Sequence, residues 1–122
     1  GIKEWNFGLF EAQPERLQPK FRLGATSFED LFVPYGGEGV DQVGERMLVT
    51  LTEVMERADA EPVLAVSHGG AMWAFYLKIA AQDLDPKVRF GNCAICHYQY
   101  EQGHFKLAEV IDPLTGDVYE SE

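Results

Sequence analysis

Positive charge is what this sequence lacks most: Lys and Arg number 10 against 20 Asp and Glu in 122 residues, a net charge of −10. A field of that sign repels phosphate backbones and anionic bilayers. Nucleic acid and membrane are therefore poor partners, and an anionic ligand has to be met by a local site. Long apolar runs are lacking too, and none approaches the roughly 20 residues of a bilayer-spanning helix. No charged-then-apolar leader opens the chain, which leads us to expect the cytoplasm. Only three histidines (His68, His97, His104) and two cysteines are present. The histidines form no i, i+4 pair, so no metal site is expected. The apolar share of 46% and the charged share of 25% are ordinary, and the length predicts one domain over 1–122.

The two cysteines sit in Cys93-Ala94-Ile95-Cys96-His97, which matches both the C-x-x-C-H haem string and the C-x-x-C redox string. Ile95, Tyr98 and Tyr100 favour an extended chain here. In a strand, residues three apart face opposite ways with Cα atoms roughly 10 Å apart, beyond disulfide reach. Two buried, reduced thiols are the expected state, with no haem and no other cofactor.

What the sequence does have is Glu61-Pro62-Val63-Leu64-Ala65-Val66-Ser67-His68-Gly69-Gly70-Ala71-Met72-Trp73. The run Val63–Val66 reads as a strand buried on both faces of a parallel sheet. From Ala71 to Ala81 the pattern is helical. His68 then falls at a strand's carboxyl end, where open α/β sheets bind ligands. The helix start behind it offers free amides and a positive dipole end, a seat for an anion. Ser67 as a nucleophile fails the G-x-S-x-G frame, because positions 65 and 69 are Ala and Gly.

Around this centre the remaining signals fall in order. Trp5, Phe7 and Phe10 crowd a loop around Gly8, and Pro14–Leu17 predicts a short helix ended by Pro19. Thr26-x-x-Glu29 matches a capping box before Phe28, Leu31 and Phe32, predicting a second short helix closed by Pro34. The irregular Pro19–Gly39 stretch reads as cover for a site. Val40, Val43, Met47, Leu51, Val54 and Ala58 make one apolar stripe on a long helix capped by Gly39, with Arg46 and Glu53 on its solvated side. Ala94–Tyr100 and His104–Ile111, joined by Glu101-Gln102-Gly103, predict a β-hairpin. The acidic tail 112–122 is expected to be loose.

Leu64-Ala65-Val66-Ser67-His68-Gly69-Gly70 resembles the second histidine motif of the histidine phosphatase superfamily, the phosphoglycerate-mutase-like proteins. Glu4-Trp5-Asn6-Phe7-Gly8-Leu9-Phe10-Glu11 resembles the acidic segment that carries the family's proton donor. Gly37-Glu38-Gly39 before the long helix resembles its G-E-S helix start, and Asn92-Cys93-Ala94-Ile95 its N-x-x-I strand. The resemblance implies an α/β three-layer sandwich with a mainly parallel sheet, ending here in the β-hairpin. It also implies phosphoryl transfer through a covalent phosphohistidine, acting on a small phosphorylated substrate. Carried across, His68 is the second histidine, which steadies the phosphoryl group. Glu4 is the acid that protonates the leaving oxygen, and Gly69 brings its backbone to the phosphate.

The family's Arg-His-Gly nucleophile motif occurs nowhere in the 122 residues. Arg16, Arg22, Arg46, Arg57 and Arg89 do not sit in its clamping positions. The chain opens on Gly1 with neither turn nor cap, and it reads as the C-terminal part of an N-terminally truncated fold. Two functions follow as expectations. One is a phosphomonoesterase or mutase whose nucleophile lies in a segment missing here, leaving this chain inactive alone. The other is a non-catalytic phosphatase-like module that binds a phosphorylated ligand or a protein partner. Loss of central strands would expose sheet edges, and exposed edges predict a homodimer or swapped assembly.

Overall fold

The apolar stripe from residue 40 does what its period dictates. In the computed structural model, which describes residues 1–19, 27–59, 61–81 and 83–121, helix α1 runs Val40–Arg57. Gly39 is its extended N-cap, and the Gln42 side chain accepts a bond from the Gly39 amide at 2.8 Å. Val43 and Met47, one turn apart, are buried against helix α2, Gly69–Ala80, which buries Ala71, Ala74, Phe75 and Tyr76 in turn. Between them Gly44 lets the helices close in. A Cβ there would lie 3.0 Å from the Ala74 carbonyl oxygen and from the Lys78 Cβ.

Strands β1 (Ile95–Glu101) and β2 (His104–Ile111) form the expected hairpin. The turn is two residues rather than three, because Glu101 already pairs with His104. Gln102 and Gly103 both have positive φ, 51° and 80°, as a tight connection matching the strand twist requires. The register shifts between His97 and Tyr98, where Ala108 is the extra residue on β2. That bulge puts Leu107 and Val110, three apart in sequence, into the same buried cluster. Strand β3, Val118–Glu120, pairs with β2. The tail is therefore not wholly loose: Tyr119 donates a 2.6 Å hydrogen bond to Asp85 and fastens the last strand to the loop after α2.

The sheet overturns the expected architecture. Among the described residues it has three antiparallel strands in the order β1-β2-β3, packed with two α-helices, where the sequence leads to a mainly parallel three-layer sandwich. A two-residue turn can join only antiparallel neighbours. No described segment pairs alongside residues 63–66, so this run forms no ladder. Expected to be buried on both faces, Leu64 and Val66 are instead 90% and 81% exposed. They border a groove of about 520 Å³ between the C-terminal half of α1, residues 62–67 and the open edge of β1.

The other local expectations divide. Pro14 does precede a single 3₁₀ turn, Glu15–Leu17. Pro34 does not close a helix; it lies inside the 3₁₀ turn Val33–Tyr35, which Gly36 ends at φ 79°. Thr26 lies outside the described residues. Cys96 is half-buried in β1, but Cys93 is exposed in the turn before it, so the two thiols are not both buried. Among the described residues two apolar clusters result. Trp5, Phe32, Val43, Met47 and Phe75 anchor the first, and Tyr76, Val88, Leu107 and Val110 form the second.

Candidate active site

Residues 2–6 have no regular structure of their own, so contacts from elsewhere must fix them. Ser67 does part of this by donating from Oγ to the Ile2 carbonyl at 2.6 Å, which lays the first residues beside the start of α2. Trp5 is 2% exposed, with Phe28 edge-on at 5.1 Å, and its indole nitrogen donates to the Glu38 carbonyl at 2.7 Å. Glu38 N in turn donates to the Asn6 carbonyl at 2.8 Å.

Arg46 contributes most. Its Nη1 donates to the carbonyls of Gly1 and Lys3, both at 2.8 Å. Its Nη2 donates to the Glu4 carbonyl and to Glu38 Oε1, both at 3.0 Å, and its Nε to Glu38 Oε2 at 2.8 Å. Each of the five guanidinium N–H donors thus has an acceptor. Glu38 Oε1 also accepts from the Asn6 amide at 2.9 Å. The hydrogen bond from Arg46 is the main reason the Glu38 carboxyl is held below its ordinary range, outweighing the opposing effect of burial. Read from sequence as a solvated face, Arg46 is instead a half-buried hub. Its acceptors among the first four residues lie 42 to 45 positions away, and a local apolar period carries no information about them.

With its backbone pinned, Glu4 turns its carboxylate onto the first turn of α2. Oε1 accepts from the amides of Ala71 (2.8 Å) and Trp5 (2.9 Å), and Oε2 from the amide of Gly70 (3.2 Å). At the helix start read from the sequence as a seat for an anionic ligand, the Gly70 and Ala71 amides are instead taken by this chain's own Glu4. His68 is the residue before the helix, extended at φ −131° and ψ 155°, and exposed. Its carbonyl accepts from Met72 N at 2.8 Å. Gly69 is exposed as well, with nothing within 4 Å of where a Cβ would stand. The structure thus brings Glu4 to the turn that His68 and Gly69 open. Among the described residues no three His, Cys, Asp or Glu side chains converge as a metal site, and no helix is long and apolar enough to cross a membrane.

The chain is 31% identical over 93 residues to a metal-independent phosphoserine phosphatase of Arabidopsis thaliana, covering 76% of this chain and 37% of that protein. It is 24% identical over 70 residues to phosphoglycerate mutase-like protein 4 of the same plant, covering 57% of this chain and 30% of that protein. The chain therefore spans about a third of the length of these relatives. No solved structure matches it significantly. The family model of the histidine phosphatase superfamily (branch 1) matches residues 1–113, nearly the whole chain, and this protein belongs to that superfamily.

Proposed function

We propose that these residues form the acid-and-phosphate half of a phosphomonoesterase or mutase that works through a phosphohistidine. The nucleophilic histidine is supplied by a segment outside the 122 residues. The observation that carries the reading is the Glu4 carboxylate on the α2 amides, within one turn of His68. In the reaction, a nitrogen of the nucleophilic histidine bonds to phosphorus as the bond to the leaving oxygen breaks. Glu4 gives that oxygen its proton, and water then cleaves the phosphohistidine to release phosphate. His68 and the Gly69 backbone bear on the negative charge of the phosphoryl group in flight. Phosphoserine, named for one relative, is the first substrate to try, because its alkoxide leaves poorly without a proton.

The test compares phosphate release by the 122-residue chain with release by the natural full-length protein. The short chain should be inactive and the long one active, with activity lost in His68→Ala. Full turnover by the short chain, or normal turnover in the long His68→Ala variant, would refute the roles assigned. The second reading is a non-catalytic phosphatase-like module that binds a phosphorylated ligand or a protein partner. A full-length protein that retains phosphoserine without hydrolysing it would establish that reading. For the chain alone, a second copy over the groove beside β1 is the assembly we propose, and light scattering at the mass of a monomer would exclude it.

A further inference from the structure

We propose that Arg46 and Glu38 form a positioning bracket for the general acid. Together they fix the backbone of Glu4 so that its carboxylate reaches the leaving oxygen, without themselves touching substrate. This rests on Glu4 being the acid, the reading given above. The bracket is recognisable from where its bonds go. Arg46 directs no donor at the Glu4 carboxylate. It holds carbonyls on the near side of that residue (Gly1, Lys3) and the carbonyl of Glu4 itself. Glu38 holds the far side through the amide of Asn6, and its own backbone bonds the Asn6 carbonyl and the Trp5 indole.

Charge follows the same division. The guanidinium is paired two-pronged with the Glu38 carboxylate, at 2.8 and 3.0 Å. Lysine could not reproduce this, having three donors on one nitrogen where five acceptors surround a planar fork. An acid works by geometry first: a displacement of about 1 Å at a reacting group can cost on the order of a hundredfold in rate.

Leaving-group dependence separates positioning of an acid from general support of the fold. In the natural full-length protein, Arg46→Met should lower kcat on phosphoserine about tenfold to a hundredfold with KM within about twofold. The loss on p-nitrophenyl phosphate, whose leaving group scarcely needs a proton, should be about ten times smaller. Glu4→Gln should show the same selective loss, and Arg46→Lys should fail to restore the parent ratio. An equal loss on both substrates for Arg46→Met, with a selective one for Glu4→Gln, would overturn the bracket and leave Glu4 as the acid. An equal loss for Glu4→Gln would remove the acid itself. Glu38→Gln serves as a second variant if Arg46→Met does not fold. A readout independent of turnover comes from the 122-residue chain, where the Gly70 and Ala71 amide shifts in Arg46→Met should move toward those of Glu4→Gln. Shifts that stay at the parent values would refute the bracket.

Discussion

Glu4 is both the candidate acid and the cap of a helix, and its removal should cost stability of a size the structure allows to be worked out. In Glu4→Ala the amides of Gly70, Ala71 and Trp5 lose their acceptor. Losing a side-chain cap costs about 1 kcal/mol. Losing a negative charge at a helix N-terminus removes about 0.3–1 kcal/mol more. The alanine variant should therefore be about 1.3–2 kcal/mol less stable, which for a chain of this size lowers Tm by roughly 5–8 °C. Glu4→Gln keeps a carbonyl oxygen for the amides and should lose about 0.5–1 kcal/mol, mainly the charge contribution. Urea unfolding at neutral pH measures both, with the m-value expected to stay at the parent's. Stability of the alanine variant within about 0.3 kcal/mol of the parent would mean that the carboxylate does not hold the helix start, and the site geometry derived from it would fail.

The remaining predictions concern the frame of the site. A methyl on Gly8, at φ 61°, would fall onto the Tyr35 carbonyl oxygen and 2.6 Å from the Gly37 nitrogen, whereas one on Gly36, at φ 79°, meets nothing within 4 Å. Gly36→Ala should cost only the left-handed strain of about 1–2 kcal/mol, and Gly8→Ala about 1–3 kcal/mol beyond that for the displaced backbone; equal costs by denaturant titration would contradict the packing. Because the folded carboxyl of Glu38 titrates below its ordinary value of 4.5, its contribution to stability is complete above that pH and is lost as pH falls through the lowered value. Glu38→Gln should flatten the acid limb of a stability-against-pH curve, and an unchanged limb would count against the ion pair. Burial pushes the Cys96 thiol up to about 11, while Cys93 is exposed. Iodoacetamide at pH 8 should label Cys93 well before Cys96, as mass spectrometry of the peptides would show.

The parts of this molecule that could be read from its sequence are those whose causes are local. Helix α1 follows from a stripe recurring every three to four residues, and the β1–β2 hairpin from alternation on either side of Gln102-Gly103. Val63–Val66 has the composition of a buried strand, yet a strand exists only with a neighbour, and composition does not supply one. The tail shows a related point: Val118–Glu120 pairs with β2 while Tyr119 bonds Asp85, a partner 34 positions away that local composition does not reveal. Glu4, His68 and Gly69 stand out in the sequence as residue types in a familiar order, and the structure brings Glu4 to the turn that the other two open. Arg46 does not stand out, because a guanidinium on a helix flank looks the same whether it meets water or four carbonyl and carboxylate groups.

Among the described residues, one ring packs against both apolar clusters. Tyr98 of β1 lies edge-on to Phe75 at 5.1 Å on one side and borders the Leu107 group on the other. A disturbance of the sheet, at the bulge beside Ala108 for instance, therefore has a short mechanical route to the helix whose first turn carries the Glu4 carboxylate.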